Sequence, residues 1–281
     1  MNSKRRLIGF IGLGNLGSAI AERLISQGFK LIVKDPNPKR VSALENRGVK
    51  VASTLVDFCE ADVILICVPG DREVLEVVQE AQDSLLTTLN SGTTLIILST
   101  VMPSTVIKLK PHCDGAGIIL IDAPVSGGPF RALEGDLTVM IGGDSNSVKE
   151  NMDILNSIGS QVHHLGPAGA GEVAKFSNQL VMFAALSALY EAAEYAEKFD
   201  IQIEDLLKVF KSTTADSWVG QNWGFFEKVA SDYDVNGTPI ELRPWSKDLV
   251  ELLESAENVG IELPLAKFLS GRIALQIEKK I

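Results

Sequence analysis

Thiol, imidazole and metal chemistry have little to work with in this sequence. Its 281 residues include three cysteines and three histidines. Cys59, Cys67 and Cys113 are scattered, odd in number and without metal-ligand spacing, so neither a disulfide framework nor a zinc site is expected. Cys67 lies in the apolar run Asp62-Val-Ile-Leu-Ile-Cys-Val68, where a thiol serves as a small hydrophobe. His112 falls near a predicted helix end, and His163 and His164 in a predicted strand, one on each face. There is no HExxH, calcium-loop or cysteine–histidine pattern, and no metal is expected. No segment reaches the length of a charge-free membrane span. The charged start Met1-Asn-Ser-Lys-Arg-Arg6 resembles the end of a signal peptide, but the apolar run after it is too short and opens onto glycines. The expectation is a cytoplasmic protein, with an organelle address left open. Basic residues are outnumbered by acidic ones, giving a net charge of −10, which argues against nucleic acid or acidic lipid as partner.

What is present is a globular composition, 46% hydrophobic and 22% charged, long enough for two domains of ordinary size. Continuous Ile/Val/Leu runs predict strands over 7–11, 30–34, 63–68, 94–99, 118–122, 137–141 and 161–165. Such runs, unlike polar alternation, suit strands covered on both faces. Helical patterns lie between them, over 16–27, 37–46, 71–88, 103–113 and 146–157. This α/β rhythm is that of a Rossmann-like, doubly wound sheet. It stops at Gly166-Pro-Ala-Gly-Ala-Gly171, beyond which a single long helix runs to about Lys198. Val173, Phe176, Leu180, Phe183 and Ser187 follow helical spacing along it. The rest is helical in character, about 203–211, 222–231, 246–258 and 264–279. The expected division is a sheet domain over residues 1–167 and an all-helical domain over 168–281, joined by the long helix.

Gly12-Leu13-Gly14-Asn15-Leu16-Gly17 follows the first strand and opens the first helix. Gly12 permits a tight turn, Gly14 lets backbone approach a pyrophosphate, and Gly17 allows close helix–strand packing. A bare GxGxxG is weak, but here strand and helix flank it. A second strand ends at Asp35, a suitable distance on for a ribose-binding carboxylate. A purely structural glycine turn is the bland alternative, and no Gly-Lys-Ser/Thr follows to suggest an NTPase loop. Val68-Pro69 and Ser99-Thr100 close further strands and should border the cofactor, since open α/β sheets bind ligands beyond their strands' carboxyl ends. Asp35 favours NAD over NADP because a carboxylate repels a 2′-phosphate, and Pro36 offers neither charge nor donor. Lys34, Lys39 and Arg40 oppose that preference from the same loop.

Three further stretches carry a more specific signal: Asp122-Ala-Pro-Val-Ser126-Gly127-Gly128 with Gly135-Asp-Leu-Thr-Val-Met-Ile-Gly142-Gly143, Gly169-Ala-Gly171-Glu-Val-Ala-Lys175-Phe-Ser-Asn178-Gln179, and Lys247-Asp248-Leu249. In these motifs and their order the chain resembles the beta-hydroxyacid dehydrogenase family, over essentially its whole length. The resemblance implies a substrate held between the two domains, and reversible hydride transfer between NAD(P) and a small hydroxy acid or its semialdehyde. It implies that Ser126, Gly127 and Gly128 bind a carboxylate, that Lys175 is the catalytic lysine, and that Thr100 and Lys247 lie on the cofactor side. It also implies a homodimer or homotetramer. Chemistry offers independent support, because hydride transfer from an alcohol requires a group to take the hydroxyl proton, and an amine in the first turns of a helix is disfavoured as a cation. For a lone lysine, a solvated helix position would be the better reading.

Asn178 and Gln179 stand three and four residues beyond Lys175 and share its helix face. The family pattern has two successive asparagines here, so Gln179 is a departure. Arg131 stands where the family has glycine, with a solvated position or an inward, anion-binding one both open. Arg243 offers the same anion-binding option. Trp218, Trp223 and Trp245 suit either a substrate surface or helix-core packing. An imine reductase and a catalytically silent dinucleotide-binding protein are the competing functions, the latter suggested by Gln179.

Overall fold

The computed structural model describes residues 6–279; the charged start considered above as a leader falls largely outside them. These residues form two compact units that divide between Lys175 and Phe176, inside the long helix Ala170–Glu197.

The first unit is built on nine strands: β1 (Leu7–Ile11), β2 (Lys30–Lys34), β3 (Lys50–Val51), β4 (Val63–Ile66), β5 (Thr94–Ile97), β6 (Ile119–Asp122), β7 (Val125–Ser126), β8 (Leu137–Gly142) and β9 (Gly159–Gly166). They form one sheet in the order β3-β2-β1-β4-β5-β6-β8-β7, with β9 paired to β8. From β3 to β6 every pairing is parallel, and the order reverses beside β1, where β2 and β4 flank it on opposite sides. That is the doubly wound arrangement, whose ligand crevice opens where the strand order reverses. β8 turns antiparallel to β6, through Asp122 opposite Gly142, and pairs parallel to β9.

Burial on both faces explains the unbroken apolar runs. Val63 and Leu65 point into one core with Ile20 and Leu24 of the helix Asn15–Ser26, while Ile64 and Ile66 point into a second core with Val106 and Leu109 of the helix Pro103–Gly115. Alternate residues of one strand therefore serve opposite layers. Three departures from the sequence pattern have local causes. The helix expected over 71–88 is interrupted: Ala81 and Ser84 are extended, and the chain resumes as the short helix Leu85–Thr88. Asp83-Ser84 favour turn and cap conformations over a helix interior. The stretch 146–157 divides at Asn151, whose side chain donates to the Ser147 carbonyl. The Gly-Gly-Pro segment, which no helical pattern in the sequence covers, opens a helix over Gly128–Glu134 with Pro129 in its first turn and left-handed Gly135 ending it.

In the second unit all regular elements among the described residues are helical. Its core gathers Phe183, Leu186 and Tyr190 of the long helix with Phe226, Trp245, Leu249 and Ile273. Trp245 is fully buried and donates to Glu278, which settles it as core, whereas Trp218 is exposed. Val173 is exposed too and does not join the stripe its spacing suggested. The final helical stretch breaks into Pro264–Ser270 and Ile273–Glu278 around Gly271-Arg272.

Candidate active site

At the reversal of strand order, β1 runs through Gly12 into the helix Asn15–Ser26. The three glycines of this turn differ in a way that describes a cradle. Gly12 has φ +94°, and a Cβ there would meet the Cys67 carbonyl oxygen at 2.2 Å; at Gly17 it would meet the Gly12 carbonyl oxygen at 2.1 Å. Those two positions are closed by protein. At Gly14 an added Cβ meets nothing within 4 Å, so the space beyond it is open. Gly14 is also the N-cap, no side chain caps this helix, and its first turn holds no acidic residue. A helix start with unsatisfied N–H groups and room in front of it accepts phosphate, so the chain fits the pyrophosphate of a dinucleotide. Asn15 and Leu16 supply its first turn.

Asp35 stands at the end of β2 with its side chain almost fully enclosed. Its carboxylate accepts the Leu13 N–H at 2.7 Å and the Asn37 N–H at 2.8 Å, which ties the glycine turn to the neighbouring strand. Arg40 reaches back to within 3.7 Å of the same carboxylate, whereas Lys34 donates to the Ser53 carbonyl. Beyond β4, the Val68 N–H bonds the Ser99 hydroxyl at 2.8 Å, and Pro69 is exposed. Asp71 accepts from the Met102 N–H at 3.0 Å and from the Thr105 hydroxyl. These bonds cross-link the loop holding Val68 and Pro69 to the one holding Thr100.

Beyond β6 a second cluster forms around the start of the long helix. Lys175 is buried, and its Nζ donates to the Val125 carbonyl oxygen at 2.9 Å, next to Ser126 in β7. Gly127 (φ +136°) and Gly128 (φ +72°) follow in conformations that favour glycine. Asp122, fully buried, accepts the Gly169 N–H at 2.7 Å and the Glu172 N–H at 3.1 Å, and so caps this helix from the sheet. Burial pushes its carboxyl above the usual carboxylate range, against the opposing pull of those N–H bonds. Arg131 is taken by Asp136 at 2.9 Å.

In the second unit, Gln179 is buried and donates through Nε2 to Asp248 at 2.5 Å, while its Oε1 accepts from Asn178 at 3.3 Å. The longer side chain thus spans to an acidic residue on the helix Pro244–Asn258. Lys247 lies 3.3 Å from Asp248 and 2.9 Å from Glu251. Burial alone would favour its neutral form, but the two carboxylates outweigh that and hold the ammonium above the ordinary lysine range. Arg243 departs from the anion-binding option: its guanidinium is enclosed by Asp234 at 2.6 Å and Glu278 at 3.0 Å. Among the described residues no cluster of metal-ligating side chains forms, and no helix is long and apolar enough to cross a membrane. The motif reading missed the parts played by Asp122, Glu172 and Asp248. An acid at the carboxyl end of a strand, with a glycine-rich helix start downstream, is the signal that could have found Asp122.

Residues 7–166 match the NAD binding domain of 6-phosphogluconate dehydrogenase, and residues 169–276 match the domain described as the NAD-binding part of NADP-dependent 3-hydroxyisobutyrate dehydrogenase. The chain is therefore an NAD(P)-dependent oxidoreductase. It is 31% identical to the mitochondrial 3-hydroxyisobutyrate dehydrogenase of Rattus norvegicus over 82% of this chain and 70% of the rat protein. It is 29% identical to the NAD-dependent L-serine dehydrogenase of Pseudomonas aeruginosa, over 96% of this chain and 90% of that one. A solved Mycobacterium tuberculosis 3-hydroxyisobutyrate dehydrogenase with L-serine superimposes with a TM-score of 0.81 at 25% identity, covering 98% of this chain and 99% of that one. The chain belongs to the beta-hydroxyacid dehydrogenase family.

Proposed function

We propose that this protein transfers hydride between NAD, favoured over NADP, and a small 3-hydroxycarboxylate or the corresponding semialdehyde, with Lys175 as general acid and base. One observation carries the reading: a buried lysine held at 2.9 Å on the Val125 carbonyl, beside Ser126 and two glycines at positive φ. Ser126 and the N–H groups of Gly127 and Gly128 bind the substrate carboxylate through short, charge-assisted bonds. When bound, the nicotinamide supplies or accepts the hydride. In oxidation Lys175 Nζ takes the hydroxyl proton, leaving a carbonyl. In reduction the Lys175 ammonium polarises the carbonyl oxygen and passes its proton to it, the N–H electron pair staying on nitrogen. Gly12 to Gly17 hold the pyrophosphate, Asp35 the ribose, and Val68, Pro69, Thr100 and Lys247 border the cofactor. Asn178 and Gln179 orient the reacting groups, Gln179 through its bond to Asp248.

The relatives' descriptions support the substrate class, since 3-hydroxyisobutyrate and L-serine are both 3-hydroxycarboxylates. Residues 168–281 form the substrate and oligomerisation domain of a cytoplasmic homodimer or homotetramer. The test is turnover of the purified protein with each cofactor on 3-hydroxyisobutyrate, L-serine, semialdehydes, neutral alcohols and cyclic imines. Turnover confined to the hydroxy acids and semialdehydes is expected. Equal turnover of neutral alcohols, or turnover of imines alone, overturns the reading.

A further inference from the structure

The first turn of the long helix carries a carboxylate that the chemistry above does not use. Glu172 is fully buried, and it is pinned twice. Its N–H donates to Asp122 at 3.1 Å, and its Oε2 accepts the Val101 N–H at 3.2 Å, from the loop that holds Thr100. Residues three apart on a helix share a face, so Glu172 lies one turn before Lys175 on the same side.

We infer that Glu172 is a positioning residue for Lys175: it couples the Thr100 loop to the helix, and its buried carboxylate keeps the proton on the Lys175 amine, so that the enzyme is poised for carbonyl reduction. This rests on the reading of Lys175 as acid and base. The positive end of the helix favours a carboxylate at Glu172 and disfavours an ammonium at Lys175. Glu172 supplies the counter-charge where the helix alone would drive the proton off. The other acids named above have partners of their own. Asp122 of β6 is committed to the N–H groups of Gly169 and Glu172, and Asp71 to Met102 and Thr105. In the second unit, Asp248 is engaged by Gln179 and Lys247. Glu172 is the buried acid of the long helix's first turn, on the same face as Lys175 one turn later.

The test is Glu172→Gln, which keeps an oxygen for the Val101 N–H and removes the charge. Lys175 is titrated directly in cofactor-free protein carrying [ε-13C]lysine, its signal assigned by loss in Lys175→Ala, alongside pH profiles of oxidation and reduction. In Glu172→Gln the Lys175 midpoint falls, by roughly 1–3 pH units, the range for loss of a nearby opposite charge. The alkaline limb of reduction moves down with it, and oxidation gains near neutral pH. Glu172→Asp, which keeps the charge, keeps the midpoint, something a merely structural role does not require. If Glu172→Gln does not fold, Glu172→Met, apolar and of similar volume, takes its place. A folded variant whose Lys175 midpoint stays at the wild-type value overturns the inference. Near-normal turnover in Lys175→Ala instead overturns the acid–base reading, while the directly measured midpoint still decides the coupling.

Discussion

Two helices of this protein begin at glycine-rich turns, and they are opposite in character. The helix Asn15–Ser26 starts at Gly14 with open space in front of it, no side-chain cap and no acidic residue in its first turn. The helix Ala170–Glu197 starts after Gly169, and its first turn is filled by the protein itself. Asp122 takes the N–H groups of Gly169 and Glu172, Glu172 adds a buried carboxylate, and a Cβ at Gly171 would meet the Met140 carbonyl oxygen at 2.4 Å. The same backbone device, orphan N–H groups at the positive end of a helix, is left for a ligand's anion in one case and satisfied by the protein's own anion in the other. A glycine-rich helix start therefore predicts a ligand only when no carboxylate of the fold already sits on it.

Removing the ammonium carried by the second helix has the largest expected effect. Lys175→Ala lowers turnover by about 10²–10⁴-fold, while cofactor binding at the first helix stays near wild type. Steady-state kinetics and fluorescence titration of NADH measure the two separately. Loss of both together would merge the roles that the comparison keeps apart.

Uncapping the second helix comes next. Asp122→Ala strands two buried N–H groups, at a cost of about 1–3 kcal/mol each, read as a lower melting temperature. The effect of acid on this group has a definite sign. Burial raises the Asp122 carboxyl in the folded state, so folding takes up a proton between the ordinary carboxylate value and the raised one. The stability of wild type relative to Asp122→Asn is therefore greatest at low pH and declines as pH rises through the raised value. A gap that widens with rising pH in thermal melts would reverse the assignment.

The glycines sharpen the contrast directly. Gly171→Ala forces a methyl group against backbone, and overpacking of this kind costs about 1–3 kcal/mol. Gly14→Ala leaves stability within about 0.5 kcal/mol and weakens NADH binding by about tenfold, or 1.4 kcal/mol. Equal melting temperatures for the two variants would erase the distinction. The smallest effect concerns the cofactor's ribose. NAD is preferred to NADP by about tenfold in kcat/KM, about 1.4 kcal/mol, and Arg40→Ala widens the ratio by removing the cation beside Asp35. A ratio that stays fixed in Arg40→Ala would clear that arginine of any part in the choice.

Much of the fold was legible because its determinants are local. β1 and β2 have the bounds that their apolar runs suggest, and the helix Ile203–Lys211 has those of its amphipathic pattern. A strand buried on both faces needs an unbroken apolar run, and a helix needs its 3.6-residue period, so each is written in consecutive residues. Two-residue strands such as β3 and β7 carry no such pattern, because their pairing energy comes from neighbours distant in the chain. The helix over Gly128–Glu134 was hidden for a related reason, since Gly-Gly-Pro has the composition of a loop and only position made it a helix start.

The sequence by itself determined the doubly wound order of elements, the glycine cradle and the presence of a lysine on a long helix. Each follows from short-range spacing and the steric needs of backbone. Tertiary structure alone decided where the charged side chains go: Asp35 onto the Leu13 N–H, Arg243 into a buried pair with Asp234 and Glu278, and Gln179 onto Asp248. It also decided that Asp122 and Glu172 meet at the second helix start. Partners 47, 50 and 69 residues apart in the chain are chosen by burial, where every polar group must find a mate, and spacing along the sequence does not record that choice.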